Sequence, residues 1–176
     1  MTTERQSGLT LIELMIAVSV MAVILTTAVP ALGNFMAQQR LTAAANQLVS
    51  HLNYARHEAV FRNQPVAACP SSNGLACTGG NRWDIGWIVY LDPEKKGQPD
   101  GPEDVLRVVE PRESLLMHSA GRYRVRFQGH GGAYGTNLTI RVCAPEDPDK
   151  ARAVIVSNPG RIRSTRDVDP SECGGD

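Results

Sequence analysis

Residues 8–34 read GLTLIELMIAVSVMAVILTTAVPALGN, and this stretch decides how the fold begins. From residue 14 to residue 39 no side chain is charged, a run of 26 positions. A helix needs roughly 20 apolar residues to cross the hydrocarbon core of a bilayer. We therefore predict a long N-terminal helix, and three interpretations are open for its first half, residues 9–33: a cleaved secretory signal, a permanent membrane anchor, or a helix that serves in both a membrane and an assembly. A polar leader, MTTERQSG, precedes it at residues 1–8.

The composition of the whole chain excludes several classes of protein. Its 176 residues suffice for one ordinary domain. Lysine plus arginine and aspartate plus glutamate both number 18, so the net charge of zero does not predict a strongly basic nucleic-acid binder or an acidic disordered tail. Aromatic residues make up 5%, too few for a large aromatic core. Fifteen of the 18 basic residues are arginines, which favour bidentate contacts with carboxylate and phosphate.

One carboxylate, Glu13, lies at the start of the apolar run. At a bilayer centre such a group costs about 2.5–3.5 kcal/mol on insertion scales, and it is usually paired or functional. Residues 8–16 resemble the prepilin signature of type IV pilins and type II secretion pseudopilins. That signature has a glycine before the cleavage site, a glutamate at the fifth mature position and a proline at the twenty-second. Gly8, Glu13 and Pro30 match it, whereas Leu9 stands where the family usually has phenylalanine.

The resemblance implies a route of processing and assembly. A prepilin peptidase would remove the leader, residues 1–8, by cutting after Gly8, and the new amine on Leu9 would be methylated. Glu13 would then pair with the amine of a neighbouring subunit, because a carboxylate in lipid is much less unfavourable when it is neutralised. Pro30 removes one helix hydrogen bond and should kink the helix. The alternative is an ordinary signal anchor with an accidental glutamate.

The remaining chain, residues 34–176, predicts a globular domain of the α+β class. Residues 34–63 are predicted to form an amphipathic helix, which ends near Asn63 because Pro65 follows. Its apolar residues recur every three or four positions and form one stripe: Leu41, Ala45, Leu48, Leu52, Ala55 and Ala59. Residues 65–176 contain strands without intervening helices, which indicates an antiparallel sheet packed on the helix. We predict strands at 65–70, 82–91, 105–109, 114–118, 122–127, 138–143, 153–156 and 161–165.

A second set of residues extends the resemblance over nearly the whole chain. Trp83, Gly86, Trp87, Asp92 and residues 156–163 are similar to the globular domain of the FimT/GspH branch of minor pilins. That resemblance implies a minor subunit, with other minor and major pilins as partners. It would first be a single-pass protein of the bacterial inner membrane with a periplasmic domain, and later part of a type IV pilus at the cell surface.

Four cysteines, Cys69, Cys77, Cys143 and Cys173, follow the apolar segment. They contain no C-x-x-C pair, so a zinc ribbon or redox site is not predicted. An even number beyond a membrane segment fits an oxidising compartment. Three pairings are possible, and we favour Cys69–Cys77, which closes a glycine-rich loop, and Cys143–Cys173, which tethers the C-terminus.

The most basic segment, residues 158–166, reads NPGRIRSTR. On an extended strand Arg161 and Arg163 point to the same face, about 6.5–7 Å apart, a spacing that suits successive phosphates. Gly160, Arg161 and Arg163 match the G-R-x-R motif of FimT-type minor pilins. The match implies non-specific binding of double-stranded DNA during uptake in natural transformation, and we add Arg166 to the site.

Two alternatives to DNA binding stay open for this segment. The arginines could pair with Asp167, Asp169 or Glu172 just downstream, or with a neighbouring subunit. The chain would then be a structural minor pilin or a type II secretion pseudopilin that primes filament assembly. A second row of arginines, Arg122, Arg124 and Arg126, is predicted to share one face of another strand.

Other motifs do not predict catalysis, a metal site or a cofactor. His130, Gly131 and Gly132 match part of a lipase oxyanion loop, but no G-x-S-x-G accompanies them, so we interpret them as a glycine turn. The acidic residues at 92–104 lack the spacing of a calcium loop, and two lysines lie among them. No nucleophile–base pair is evident, and we expect the protein not to be an enzyme.

Overall fold

The computed structural model describes residues 10–112 and 114–173, apart from the side chains of residues 27, 29–31, 34, 148 and 149. The chain divides between Gln38 and Gln39 into two compact units. One α-helix, α1 (Leu11–Arg62), contributes to both. The predicted leader and the Gly8–Leu9 cleavage site lie outside the described residues.

The N-terminal unit consists of the first part of α1. The side-chain oxygen of Thr10 accepts a hydrogen bond from the backbone N–H of Glu13 at 3.4 Å and so caps the first turn. Ser19 bonds back to the carbonyl of Met15 at 2.7 Å, as hydroxyls inside helices commonly do. The helix is continuous through Pro30.

Large apolar side chains cover the outside of this unit and are exposed, Leu11, Ile12, Met15 and Val23 among them. Within the described residues, no helix combines the length and the hydropathy needed to cross a membrane.

The second part of α1 carries the predicted apolar stripe. All six of its residues are buried, which confirms the periodicity. The helix ends at Arg62, next to the predicted boundary. Asn63 takes a positive φ of 50°, and the N–H of Gln64 bonds the carbonyl of Ala59 at 3.1 Å. This left-handed residue closes the C-terminus of the helix before Pro65.

Within the described residues, eight antiparallel strands follow the helix and form two sheets rather than one. They are β1 (Val66–Pro70), β2 (Trp87–Leu91), β3 (Val105–Val109), β4 (Leu116–Ser119), β5 (Val125–Phe127), β6 (Leu138–Ala144), β7 (Asp147–Val156) and β8 (Ile162–Thr165). The first sheet has the order β3-β2-β1-β5 and the second β4-β6-β7-β8. Short 3₁₀ helices lie at Pro102–Asp104 and Pro170–Cys173. The α+β class and the antiparallel pairing are confirmed.

The split into two sheets arises from one non-sequential pairing. Strand β5 pairs with β1, with Val66 opposite Phe127, and becomes the edge of the first sheet. Its predecessor β4 pairs with β6 instead, in the second sheet. Alternating side chains predict each strand but not its partner, so the sequence pattern could not show this division.

Both sheets and α1 share one hydrophobic core. Its largest fully buried members include Trp83, Trp87, Phe127, Leu48 and Leu52. The two disulfides pair Cys69 with Cys77 and Cys143 with Cys173, the connectivity that we favour from the sequence. The second disulfide ties the C-terminal 3₁₀ helix to β6. Strand β8 is thus followed by a C-terminal segment that is tethered to the second sheet.

Candidate nucleic-acid interface

Strand β8 carries Arg163 at the edge of the second sheet, and Arg161 and Arg166 directly flank the strand at its two ends. It pairs with β7 alone, and Arg163 lies opposite Ile155. The hairpin between the two strands is closed by Ser157, whose N–H donates to the carbonyl of Arg161 at 3.0 Å. The outer edge of β8 has no strand beside it in the described chain, so the backbone groups along that edge are open to a partner.

The turn before β8 requires a glycine at position 160. Gly160 has a φ of +79°, which L side chains rarely adopt. A Cβ placed there would lie 1.9 Å from the carbonyl oxygen of Gly131. The same oxygen accepts a hydrogen bond from Nε of Arg56 on α1 at 3.0 Å. The glycine of the G-R-x-R motif therefore holds the turn against a neighbouring loop, which fixes the start of β8.

Arg161 and Arg163 point away from the core. Ile162 between them packs against the core cluster, so both neighbours project to the outer face of the sheet. The side chains of Arg161 and Arg163 are exposed. The structure thus brings together the two arginines that the sequence places on one face.

Arg166 stands apart from that pair. It follows the last residue of β8 and is exposed. Burial, and next the charge of Arg166, lower the pKa of Arg152. Arg152 itself donates from Nη2 to the hydroxyl of Thr42 on α1 at 2.8 Å. Because Arg152 lies opposite the core residue Val142, this second cationic pair is on the helix side of the sheet.

The acidic residues downstream do not neutralise the three arginines. The carboxylate of Glu172 pairs with Nε of Arg141 at 2.7 Å, and this hydrogen bond lowers the pKa of Glu172. Asp169 accepts from the hydroxyl of Ser171 at 2.8 Å, which likewise lowers the pKa of Asp169. Among residues 10–112 and 114–173, no ion pair involves Arg161, Arg163 or Arg166. The intramolecular alternative is therefore not what the structure contains.

The second row of arginines is predicted on a strand over 122–127, but the strand is shorter and the three side chains bond within the fold. Only Val125–Phe127 forms strand β5, and Arg126 inside it is 9% exposed. Its Nη2 lies 2.6 Å from the carboxylate of Asp92, which is itself buried. The other two donate to backbone carbonyls, Arg124 to Gly97 and Arg122 to Asn137, each at 3.0 Å. The buried carboxylate of Asp92 pairs with Arg126 inside the fold, and the spacing of the arginines in the sequence does not reveal this pairing.

The acidic segment after β2 has an internal structural role. Asp92 also accepts the N–H of Gly97 at 3.0 Å, and Lys96 pairs with Glu94 at 3.0 Å and Asp100 at 2.9 Å. Among the described residues no group of three or more potential ligands could hold a metal ion. The charged side chains of this segment therefore bond within the segment itself and stabilise its loop.

A cleft adjoins the arginine edge on the outer face of the second sheet. Its volume is about 580 Å³, and its lining includes Arg122, Thr139, Ile155 and the turn residues Asn158 and Pro159. Ile155 lines the cleft and lies directly opposite Arg163 on the neighbouring strand, so the cleft is adjacent to Arg163. The sequence gives no sign of this concavity, because it arises from residues of two strands and three loops.

Comparison with known families identifies the chain. The model of the type II transport protein GspH matches residues 44–160, which is more than half of the sequence. The chain belongs to the GspH family. The prokaryotic N-terminal methylation motif matches residues 4–29, which include Gly8, Leu9 and Glu13. The GspH match ends at Gly160, so the arginines of β8 lie beyond the part that the family model describes.

Solved structures of pilin-like proteins share the fold. The type IV minor pilin FimU of Pseudomonas aeruginosa is similar at 22% identity, with 74% of this chain and 92% of that chain covered and a TM-score of 0.60. The minor pseudopilin EpsH of the Vibrio cholerae type 2 secretion system is similar at 13% identity, covering 71% and 95%, with a TM-score of 0.50. No match was found among curated proteins. This GspH-family chain thus has the same fold as these minor pilin and pseudopilin structures.

Proposed function

We propose that this GspH-family chain is a minor pilin that binds DNA without sequence preference and serves DNA uptake in natural transformation. The observation that supports the proposal is the pair Arg161 and Arg163, exposed and without an ion-pair partner among the described residues. The pair lies at the start of an edge strand, next to the turn that Gly160 makes. Two guanidinium groups in that arrangement suit successive phosphates of one strand. Phosphate contacts alone carry no sequence information, so any duplex would bind.

The binding of one subunit would be weak. Non-specific contacts give dissociation constants of about 10⁻⁴–10⁻⁶ M at physiological salt. Several subunits in one filament raise the overall affinity through avidity. Arg166 lies outside the outer-face pair, so its contribution would come through a phosphate that passes around the end of β8.

The N-terminal residues support the filament part of the proposal. Cleavage by a prepilin peptidase after Gly8 would give a mature chain beginning at a methylated Leu9, as the matched methylation motif suggests. Glu13 would pair with the amine of a neighbouring subunit, and Pro30 would bend the helix. The chain would lie in the inner membrane through residues 9–33, with residues 34–176 in the periplasm, until assembly moves it to the pilus. Mass spectrometry of the native protein tests this, since an intact leader would contradict it.

A titration with a labelled duplex tests the DNA part. Full-length mature protein in a non-ionic detergent should bind a 20-base-pair duplex of any sequence, and rising salt should weaken binding steeply. Arg161→Ala/Arg163→Ala should abolish binding. Lys95→Ala/Lys96→Ala removes the same charge from the loop after β2 and should leave binding nearly unchanged. A folded arginine variant that still binds like the wild type would reject the site.

The second candidate function is a structural one, and a specific observation favours it. The family model is named for type II transport and ends before Arg161. A minor pilin or pseudopilin that primes assembly would need no DNA contact. Deletion of the chain separates the two functions: lost transformation with pili still present supports DNA uptake, whereas lost pili or lost secretion supports priming.

A further inference from the structure

Two aromatic rings lie exposed beside the turn that leads into β8. Tyr134 is 60% exposed, and its ring lies 5.9 Å from that of His130 at an angle of 55°. Gly132 sits beneath both, because a Cβ there would be 2.6 Å from the tyrosine ring and 2.7 Å from the histidine ring. The histidine Nδ1 accepts the N–H of Gly132 at 3.2 Å. The tyrosine ring is thus held in place while one side of it faces solvent.

The ring-bearing loop is fastened to the arginine turn by backbone contacts. The N–H of Ala133 donates to the carbonyl of Asn158 at 2.8 Å. Two residues earlier, the carbonyl of Gly131 packs on Gly160. From these links and the 3.8 Å spacing of Cα atoms, the backbones of Tyr134 and Arg161 are at most about 20 Å apart. A strand of a few nucleotides spans that distance.

A further exposed ring, that of Phe61 at the end of α1, adjoins the same loop. Phe61 is 77% exposed and lies parallel to His57, with ring centroids 6.1 Å apart and an interplanar angle of 8°. The preceding residue, Val60, lies against Gly131 of the ring-bearing loop. Tyr134 and, farther along, Phe61 therefore belong to segments that contact the turn before β8, directly for the loop of Tyr134 and through Gly131 for the end of α1.

We infer that Tyr134 stacks on a base of single-stranded DNA whose phosphates are held by Arg161 and Arg163, so that the protein prefers single strands or frayed duplex ends to closed duplex. The inference rests on the proposed DNA binding and adds the form of DNA recognised. Closed duplex offers phosphates but keeps its base faces stacked inside. A single strand offers both, and aromatic stacking accepts any base because every base has a π-face. Charge beside the rings favours this polyanion over a second pilin subunit, which would need acidic groups there.

Fluorescence anisotropy with two labelled probes tests the preference. Full-length mature protein in non-ionic detergent is titrated with a 20-nucleotide oligothymidine and with a 20-base-pair duplex. The wild type should bind the single strand about tenfold more tightly. Tyr134→Ala should remove this advantage and leave duplex affinity unchanged, while Tyr134→Phe should retain it. Tyr123→Ala is the matched control, since that tyrosine is 39% exposed but packs on Arg124 in the other row.

The outcomes separate this inference from the function on which it rests. Equal binding of both probes, unchanged in Tyr134→Ala but lost in Arg161→Ala/Arg163→Ala, overturns the stacking role and keeps DNA binding. No binding of either probe overturns both. If Tyr134→Ala binds DNA normally but fails to enter filaments, the aromatic surface is a subunit interface and the inference is wrong.

Discussion

Two rows of arginines look alike in the sequence and differ in the molecule. Arg122, Arg124 and Arg126 recur at every second position, as do Arg161 and Arg163. The arginines of the first row bond within the fold, one to a buried carboxylate and two to backbone carbonyls. The second extends from an edge strand with no ion pair among the described residues. Periodicity therefore places guanidinium groups on a face, and only the partners within reach decide whether they stabilise the fold or bind a ligand.

Removing the buried partner of the first row should have the largest effect. Asp92→Ala leaves the Arg126 charge nearly buried and uncompensated, so the free energy of unfolding should fall by about 3–5 kcal/mol. Urea unfolding followed by tryptophan fluorescence measures the loss. Asp92→Ala/Arg126→Met, which removes both charges, should recover much of it. A loss below about 1 kcal/mol in the single variant would mean that the pair is not buried in solution.

Substitution of Gly160, which positions the second row, should have the next largest effect on stability. Gly160→Ala puts a Cβ into the Gly131 carbonyl at a positive φ, so we expect a loss of roughly 2–4 kcal/mol and weaker DNA binding. Gly135→Ala is a matched control, because its φ is +73° but nothing lies within 4 Å of the added Cβ. That control should lose only about 1 kcal/mol. Equal losses in the two variants would show that the close approach to Gly131 does not matter.

Protonation of His51 should lower stability by a smaller amount, and the resulting pH dependence does not involve either arginine row. Burial lowers the pKa of His51 below 6.5, with the charges of Arg107 and Arg112 as the next causes. The unfolded chain then binds more protons than the folded one, so stability is complete above pH 6.5 and is lost as the pH falls. Urea midpoints at pH 7.5 and 5.0 measure this difference. His51→Gln should flatten it, and an unchanged pH dependence would contradict the assignment.

The sequence predicted more of the fold than of the site. The helix stripe, the end of the helix near Asn63 and the strand at Val105–Val109 followed from local spacing, and the structure confirms all three. Arg161 and Arg163 could be placed on one face by alternation alone. The Asp92–Arg126 pair, the contact of Gly160 with Gly131 and the ring pair over Gly132 join segments 20 or more residues apart or depend on loop geometry. Such contacts carry no periodic signal.

The smallest effect on stability should come from the row that we propose binds DNA. Arg161→Ala/Arg163→Ala removes exposed side chains without an ion pair in the described chain, so the free energy of unfolding should change by no more than about 0.5 kcal/mol. Binding should change instead. Each phosphate contact adds about 0.9 to the slope of log affinity against log salt, so any residual binding should show a slope lower by about 1.8. Arg124→Ala should do the reverse, lowering stability through the lost Gly97 contact and leaving the slope unchanged. Salt titrations of both variants therefore measure whether the two rows differ in function as they do in structure.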